Sequence, residues 1–421
     1  MATATNNIIP WSASLKNTSG VIVELGGIAI ATTKLEIHTD IESLFTTIDW
    51  MFTASSDLID QYQINNISIG TPIYFRFSQT NNSTNTTIDR NYKVLSITNG
   101  PGMSATTLGT VYHLVLINSW YFDQFIDSKA YFDNVSSILS DIFNNDFKNS
   151  FTGLRISNSS DPPAIRYRTM MKQSDFITLR LLPYLLGANK TSSFVFTNTD
   201  NFIEVLSYYD MTQTDIYLAI DLSNPHIAAF KDMINDPVSS QYVIYPTVVT
   251  LSINESQSRN LWDISLPAFA YPYRNPRYIK TYIDEPVMQV LGYDKDNRFT
   301  FVNSQKNSNY TKVYLSDSLR SPDDIFSMKS NEYMKDLRQA HHVELTCLPN
   351  LNILAGRQCY YYLTQSDQSA SVFAQSYIIK EVTHIFEGMQ ARTLLSLNTT
   401  SFDFANTANI STLFSLTKPP S

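Results

Sequence analysis

The stretch that decides the fold lies near the end of the chain, where residues 376–398 read SYIIKEVTHIFEGMQARTLLSLN. Two runs in it, Ser376 to Phe386 and Ala391 to Asn398, are rich in apolar and β-branched residues, which is typical of strands. Apolar residues occupy both alternating sets of the first run, so the pattern leaves open which face is buried. Two further strand patterns precede them, at His341 to Leu348 and Gly356 to Leu363. Together the four runs predict a small antiparallel β-barrel.

Strand patterns also mark the first part of the chain, residues 20–118. Four segments alternate or concentrate apolar residues, and they are Lys34 to Asp40, Ile73 to Phe77, Tyr92 to Ile97 and Tyr112 to Asn118. The polar stretch Gln79 to Asn91 predicts a long exposed loop among them. We therefore expect an antiparallel β-domain here, either a small barrel or a sandwich.

The apolar period becomes helical after Asp133, a carboxylate placed to cap the first turn. The apolar stripe has the spacing of one helix face, and it consists of Val135, Ile138, Leu139, Ile142 and Phe143. A second helix is predicted from Ser174 to Gly187, where the glycine occupies the C-cap place. Pro183 lies inside this segment and should kink or shorten the helix.

A hairpin follows the helices. Ser193 to Thr197 and Phe202 to Tyr208 are short apolar runs, and Thr199-Asp200-Asn201 between them favours a turn. Residues 119–212 thus read as an α+β module.

The stretch from Leu218 to Asn309 has the weakest pattern, and we assign no fold to most of it. Its first part, Leu218 to Val249, is open to recruitment by the closing β-domain. A strand at Lys312 to Asp317 and a helix at Asp323 to Ala340 are predicted after it.

The composition limits what the chain can be. A length of 421 residues predicts roughly two to four domains. The formal net charge is -8, which argues against an electrostatic grip on nucleic acid. Charged residues make up only 16% of the chain, well below the usual quarter, and this suits the surface of a permanent assembly. Met1 to Pro10 lacks a basic start and an apolar run, and no stretch approaches 18 apolar residues, so we expect a soluble protein made in a cytoplasm without a membrane anchor.

We find no motif for catalysis, cofactor binding or metal binding. Phosphate-binding glycine motifs, the nucleophile elbow and H-E-x-x-H are absent from the sequence, and Gly100-Pro101-Gly102 predicts a turn. His341 and His342 are adjacent and would point to opposite faces of a strand, so they cannot share a metal. His384 is predicted to be a structural, hydrogen-bonded residue. Cys347 and Cys359, on either side of an apparent hairpin, are predicted to be reduced, partly buried thiols.

Some polar and aromatic clusters could carry a function. Glu36, His38 and Asp40 share the polar face of one strand, and Asp323-Asp324 opens a helix, where carboxylates favour the dipole. Two aromatic runs, Tyr271-Pro272-Tyr273-Arg274 and Tyr360-Tyr361-Tyr362, could stack against sugars or bases, although cores and subunit interfaces explain them better.

Several strings resemble the central baseplate hub protein of contractile-tailed bacteriophages. Residues 376–398 are similar to the closing hairpin of that family, in which a Val-x-His strand pairs with an apolar strand containing Thr. Leu345 to Gly356 resembles its strand, apolar turn and glycine segment, and Ser192 to Met211 resembles its internal hairpin. The helices at Asp133 and Asp175 fall where hub proteins carry theirs. Residues 213–310 match least. The hub part of type VI secretion spike proteins is related in architecture.

The resemblance implies a mainly β, α+β chain with two small antiparallel tube-like β-barrels. The implied divisions are an N-terminal arm at 1–19, a first barrel at 20–118, an α+β module at 119–212, a second barrel at 213–245 and 311–400, an insertion domain of unassigned fold at 246–310, and a C-terminal tail at 401–421.

The resemblance also implies a function in the virion. The chain would be a non-catalytic structural subunit, without a cofactor, forming a homotrimeric ring that joins the sixfold tail tube to the threefold central spike. Implied partners are the spike protein, the tube or tube-initiator protein, and the wedge and tape-measure proteins. DNA would pass through the ring without sequence-specific binding, and Glu36, His38 and Asp40 are candidates for the lumen or tube contact. Another virion or receptor-binding β-protein, or a cell-wall glycan hydrolase, are the alternatives.

Overall fold

A computed structural model gives the architecture of the chain. The structure describes residues 11–16, 22–24, 31–61, 64–81, 84–104, 107–147, 150–157, 163–185, 193–220, 243–253, 277–282, 311–316, 341–362, 376–387 and 390–399. Within these residues the protein is mainly β, with a few short helices.

The strands fall into three groups along the chain. The first group is β1 (Trp11–Lys16), β2 (Ile22–Glu24), β3 (Ala31–Asp40), β4 (Thr47–Ala54), β5 (Pro72–Asn81), β6 (Thr84–Ser104) and β7 (Thr107–Asn118). The middle group is β8 (Asp127–Asp133), β9 (Gly153–Ile156), β10 (Ala164–Met171), β11 (Ser193–Thr197) and β12 (Phe202–Ser207). The last group is β13 (Ile216–Ile220), β14 (Val243–Ile244), β15 (Pro246–Ile253), β16 (Arg277–Tyr282), β17 (Thr311–Ser316), β18 (His341–Cys347), β19 (Gln358–Tyr362), β20 (Ser376–Glu387) and β21 (Gln390–Thr399).

The described helices are short. They are α1 (Ser56–Gln61), α2 (Val135–Asp141), α3 (Gln173–Phe176) and α4 (Tyr208–Met211), with 3-10 turns at Ile64–Asn66, Ser119–Tyr121 and Leu182–Tyr184. Wider π-type turns extend α2 over Ile142–Asp146 and α3 over Ile177–Leu181. None of the helices in the described part of the chain is long and apolar enough to cross a bilayer.

One mixed sheet of 14 strands contains most strands of the first and last groups. Its main path runs β14-β13-β19-β20-β3-β4-β7-β6-β5-β1-β2, and a branch runs from β20 through β21 and β18 to β15. The strand β20 joins the two halves, because its first part pairs with β19 and its second part with β3. Pairing is antiparallel except at β13, which is parallel to both β14 and β19.

The two separate antiparallel barrels predicted from the sequence are not confirmed. The described residues form no closed barrel, and the pairing of β3 with β20 makes the two halves one sheet. The predicted recruitment of Leu218 to Val249 is confirmed in its described strands. Only Tyr245 separates β14 from β15, and these two strands pair with β13 and β18, respectively.

Three apolar cores support the described residues. The first lies under β3, β4, β6 and β7 and centres on Trp50 and Phe52. The second lies between the strands of the last group and the β11–β12 hairpin. The third packs α2, α3 and their extensions against the sheet β11-β12-β9, around Trp120 and Phe143. The described residues of the middle module thus include both helices and strands.

Several local predictions need correction. The stretch Gln79 to Asn91 is not a long loop: β5 continues to Asn81 and β6 begins at Thr84, because the Thr-rich sequence suits a long hairpin. Gly100-Pro101-Gly102 is not a turn but part of β6, where it pairs with β7. The proline is tolerated there because this part of β6 has only one described partner strand.

The predicted helices are present but differ in detail. The first is capped by Asn134 rather than Asp133, since the Asn134 side chain accepts a hydrogen bond from the Ser137 N–H. The second is shortened as expected, and Pro183 lies in a 3-10 turn. Cys347 and Cys359 do not flank a hairpin, because β18 and β19 pair with other strands. The helix Asp323 to Ala340 and Gly187 lie outside the described residues.

Candidate functional site

Around β3, the 14-stranded sheet has one face on the cores and one more exposed face, which carries Glu36, His38 and Asp40. In β3 these three half-buried residues alternate with buried Leu35, Ile37 and Thr39. The predicted polar face of this strand is therefore confirmed. We call it, with its continuation on neighbouring strands, the exposed sheet face.

Cross-strand rows show how far this face extends, because residues directly opposite each other lie on the same side of a sheet. The row through Asp40 crosses five strands and consists of Thr250, Glu344, Ser396, Glu381 and Asp40. The row through His38 crosses eight strands and consists of Val248, Thr346, Leu394, Thr383, His38, Thr47, Ile117 and Lys93. The row through Glu36 contains Arg392, Ile385, Glu36, Asp49, Val115 and Ser96. The exposed sheet face thus extends from one half of the chain to the other, with buried Ile385 and Ile117 interrupting its exposure.

The three predicted residues make separate contacts and do not form one catalytic cluster. Glu36 pairs with Lys34 at 2.8 Å, and the His38 Nδ1 lies 2.9 Å from the Thr383 hydroxyl on β20. Asp40 accepts a hydrogen bond from the Glu42 N–H. Burial raises the pKa of Asp40, and that backbone hydrogen bond only partly offsets the effect.

Acidic side chains outnumber basic ones on this face among the described residues of β3, β4, β18, β20 and β21. The acidic ones are Glu36, Asp40, Asp49, Glu344, Glu381 and Glu387, and the basic ones are Lys34, Lys380 and Arg392. Lys93 of β6 lies on the same face, so six acidic side chains stand against four basic ones and the face is weakly acidic. Its basic groups are engaged in ion pairs such as Lys380 with Glu381.

A second polar site, which we call the junction, lies at the turn of the β11–β12 hairpin. Its centre is Glu204, whose side chain is fully buried. Arg357 donates two hydrogen bonds to this carboxylate, each 2.7 Å long, and Arg155 donates a third of the same length. Burial acts to raise the pKa of Glu204, but the hydrogen bonds and charge of Arg357 outweigh it and lower the pKa. The glutamate therefore stays ionised.

The same turn is tied to the first and last groups of strands. Asn198 exchanges two hydrogen bonds with the backbone of Ala355 in the loop after β18, at 3.1 and 3.2 Å. Thr197 donates to the Leu44 carbonyl and accepts from Thr46 through its own carbonyl, both at 2.7 Å. One hairpin thus connects the middle module to both halves of the large sheet.

Close packing of Gly356 against Phe196 also holds the junction in place. Gly356 has a φ of +73°, and a Cβ built there would lie 2.6 Å from Phe196 in β11. Only glycine satisfies both the backbone conformation and this approach. The sequence indicated the glycine segment, but it did not predict Arg155, Glu204 and Arg357 as a cluster.

The remaining candidates have structural surroundings. His384 is buried, its Nδ1 lies 3.0 Å from the Thr393 hydroxyl, and burial lowers its pKa to about 4, which confirms the structural prediction. Cys347 and Cys359 are free thiols, as predicted, but both are fully buried, and burial raises the pKa of Cys347 to about 12. No group of three metal-ligating side chains occurs in the described ranges.

Only one of the aromatic and acidic candidates lies among the described residues. Tyr360 and Tyr361 are buried, so they are core residues and not a stacking platform. Asp323-Asp324 and Tyr271-Pro272-Tyr273-Arg274 lie outside the described residues.

Comparison with known proteins gives similarities of structure only, since the chain matches no protein-family model and no curated protein. The 43 kDa tail protein of prophage MuSo2 from Shewanella oneidensis is similar with a TM-score of 0.52 at 10% identity, over 94% of this chain and 99% of that one. An Escherichia coli component of the type VI secretion system, which exhibits structural similarity to the T4 bacteriophage tail proteins gp27 and gp5, scores 0.49 at 10% identity over 89% and 76%. A tail protein from Neisseria meningitidis scores 0.48 at 8% identity over 93% and 97%.

The first of these similarities spans nearly the whole of both chains. The chain therefore has the fold of this prophage tail protein.

Proposed function

We propose that this chain is a structural, non-catalytic subunit of a phage tail, and that it acts as the baseplate hub. Three copies would form a ring that joins the sixfold tail tube to the threefold central spike. The fold shared with a prophage tail protein supports the general assignment.

The observation that carries the proposal is the exposed sheet face, which continues through both halves of the chain across β20 and β3. A wall built in this way has an apolar side that packs on the cores and a polar side that can face water. Three such walls arranged around an axis would enclose a channel, and cyclic symmetry would make every contact between copies identical.

The charge of the face fits the passage of DNA. A surface with more carboxylates than basic groups does not retain phosphates, so DNA would slide past it. We assign Glu36, His38 and Asp40 to this lumen, where they would lie side by side along β3.

The finer division of the chain and its partners belong to the same proposal. Residues 20–118 would supply one wall segment of each copy, and 213–245 with 311–400 the other, so that three copies present six positions to the tube. The module at 119–212 would lie between them. The insertion predicted at 246–310 would begin only after β15, because β15 pairs with β18 in the wall itself. The partners would be the spike, the tube or tube-initiator protein, and the wedge and tape-measure proteins.

The first test is the solution mass of the purified chain by light scattering, combined with negative-stain images of the same sample. We expect three times the chain mass of 47.8 kDa and a threefold ring with a central channel. A chain that stays monomeric with and without a spike protein would contradict the hub role, and binding to glycans or cells would then indicate a receptor-binding protein.

A second test addresses the lumen. Glu36→Lys combined with Asp49→Lys would reverse the charge of the exposed sheet face, and the ring should then retain short duplex DNA at low salt and release it as salt rises. The matched control is Asp57→Lys with Asp175→Lys, which changes the same charge at exposed helix positions. Equal retention by both double variants would show that this face does not line the channel.

A further inference from the structure

The exposed sheet face carries three of the six histidines in the chain. His38 lies on it in β3, and His113 of β7 belongs to the cross-strand row of Lys34. His342 of β18 lies two residues before Glu344 and therefore on the same side of its strand. The three histidines are thus spread over this face from the last group of strands to the first.

All three side chains are in contact with water. The side chains of His113 and His342 are 43% and 30% exposed, and His38 is half-buried. His384, in contrast, is buried on the opposite face of the sheet. Histidine is the side chain that ordinarily changes its charge between pH 5 and 8. Mild acidification therefore adds positive charge to the exposed sheet face.

The surroundings of His38 come from three strands. Its Nδ1 lies 2.9 Å from the Thr383 hydroxyl of β20, and Thr47 of β4 is its opposite residue on the other side. The charged side chains at adjacent positions are Glu36 and Asp40 on β3, Glu381 and Lys380 on β20, and Asp49 on β4. Burial raises the pKa of Asp40, so titration of this carboxyl by acid would change the charge in the same direction.

His113 lies beside a carboxylate of the neighbouring strand. Its Nε2 is 3.1 Å from Oδ1 of Asp49 in β4, and its opposite residue in β6 is the neutral Thr98. When the ring is protonated, this contact becomes an ion pair. A proton on His113 would therefore offset a charge that repels phosphates.

His342 has a similar partner in its own strand. Its Nε2 is 3.3 Å from Oε1 of Glu344, and its Nδ1 is 3.2 Å from Oδ1 of Asn398 in β21. On the other side its opposite residue is Ser252 of β15. With the amide of Asn398 in this orientation, only a ring that carries both protons donates a hydrogen bond to both oxygens.

The charge of the exposed sheet face would change sign. Its described residues include six carboxylates and four basic groups, which leaves two negative charges per chain when histidine is neutral. Three protonated histidines would turn this into one positive charge per chain. The chain as a whole would stay acidic, because six protonated histidines cannot offset a net charge of -8. A gain in affinity for phosphates would therefore be local to this face.

We propose that acidification converts the exposed sheet face from a surface that repels duplex DNA into one that retains it, through protonation of His38, His113 and His342. The inference rests on the proposed function in one respect, because DNA meets this face in the virion only if the face lines the channel. A ring of three copies would then let DNA slide at neutral pH and hold it back at acidic pH.

The test measures binding of a short, fluorescently labelled DNA duplex to the purified chain at about pH 7.5 and about pH 5.5. Salt is kept near 0.01 M, where charges act over about 30 Å. We expect the wild type to bind at least about tenfold more tightly at the lower pH. The slope of log affinity on log salt should also steepen there, by up to about three, because up to three more phosphates are neutralised.

The variant His38→Gln/His113→Gln/His342→Gln should lose this difference between the two pH values. The matched control is His384→Gln, which removes a buried histidine from the opposite face and should keep the difference. Circular dichroism at both pH values verifies that each protein is folded.

A variant with fixed charges tests the same surface without a change of pH. His38→Lys/His113→Lys/His342→Lys places three permanent positive charges on the exposed sheet face. At about pH 7.5 it should bind the duplex about as tightly as the wild type does at about pH 5.5. A lysine variant that is folded and binds no better than the wild type at about pH 7.5 would overturn the inference.

The measurement does not require a ring, so its outcome is separate from that of the hub proposal. A ring whose DNA affinity is the same at both pH values would overturn the switch and leave the hub standing. A chain that stays monomeric, with an affinity that rises in acid and does not rise in the glutamine variant, would support the switch and contradict the hub. A glutamine variant that keeps the full rise would overturn the inference.

Discussion

Charged side chains occur at two places in this molecule with very different surroundings. At the junction, the carboxylate of Glu204 is fully buried and receives hydrogen bonds from Arg155, Arg357 and Asn198. On the exposed sheet face, Glu36 pairs with Lys34, and both side chains remain in contact with water at 26% and 41% exposure.

The difference shows that an ion pair between a carboxylate and a basic side chain can stabilise the fold when it is buried, whereas an exposed pair mainly sets the charge of the surface. A buried carboxylate cannot lose its partners without leaving charges unpaired in the interior, which is costly. A surface pair is replaced by water at almost no cost. We therefore expect mutations at the junction to unfold the chain and mutations on the exposed sheet face to change only what the surface binds.

The largest effect should come from Glu204→Leu. This change leaves the largely buried Arg357 without its carboxylate, and we expect a loss of about 3–5 kcal/mol in the free energy of unfolding. Chemical denaturation followed by circular dichroism measures it. If Glu204→Leu lowered the free energy of unfolding by less than the removal of an exposed carboxylate does, the junction would not connect the modules.

His384 should make stability depend on pH, while His38 on the adjacent strand and opposite face provides the contrast. The folded pKa of His384, about 4, lies below the ordinary value of 6.5, so the unfolded chain binds more protons between these values. Stability should therefore rise by roughly 3 kcal/mol as pH increases through this window.

Unfolding of wild type, His384→Gln and His38→Gln at several pH values from 4 to 7 isolates this contribution. The slope should be reduced in His384→Gln and retained in His38→Gln. Equal slopes in all three proteins would contradict the assignment.

A smaller effect is expected from Gly356→Ala. The new Cβ meets Phe196 and the residue must keep a positive φ, which together should cost about 2 kcal/mol. Gly100→Ala is the control, because a Cβ there meets no atom within 4 Å, and it should change stability by less than about 0.5 kcal/mol. Thermal unfolding of Gly356→Ala and Gly100→Ala measures the two costs. Similar melting temperatures would show that the loop at Gly356 shifts to accommodate the added Cβ.

The smallest effect should follow Glu36→Gln on the exposed sheet face. Loss of its pair with Lys34 should cost less than about 1 kcal/mol, with the difference disappearing at high salt. Denaturation at low and high salt measures this. A loss as large as that of Glu204→Leu would mean that the two sites do not differ in the way described.

The sequence predicted most strands because their alternation or apolar content is local. All four closing strands, from β18 to β21, and the β11–β12 hairpin lie where the pattern indicated. The β5–β6 hairpin was wrongly predicted as a loop, because Thr and Asn between Gln79 and Asn91 indicate a loop by polarity although threonine also favours strands. Polarity alone cannot separate an exposed hairpin from a loop.

Long-range features could not be predicted in the same way. The pairing of β3 with β20 joins residues more than 340 positions apart, and Arg357 meets Glu204 across 153 positions. Neither contact leaves a periodic signal in the chain. The face of β3 that carries Glu36, His38 and Asp40 was predicted, whereas its continuation over eight strands depends on pairing that only the structure contains.

The double pairing of β20 also has a mechanical consequence. Its second part is bonded to β3 through seven opposed residue pairs, from Glu381 with Asp40 to Glu387 with Lys34, while its first part is bonded to β19. A force applied along the strands would pass from one half of the sheet to the other through β20. It would load the seven β3–β20 pairs in shear, so their hydrogen bonds would have to break together and not one after another. The two halves of the sheet would therefore resist such a force as one mechanical unit.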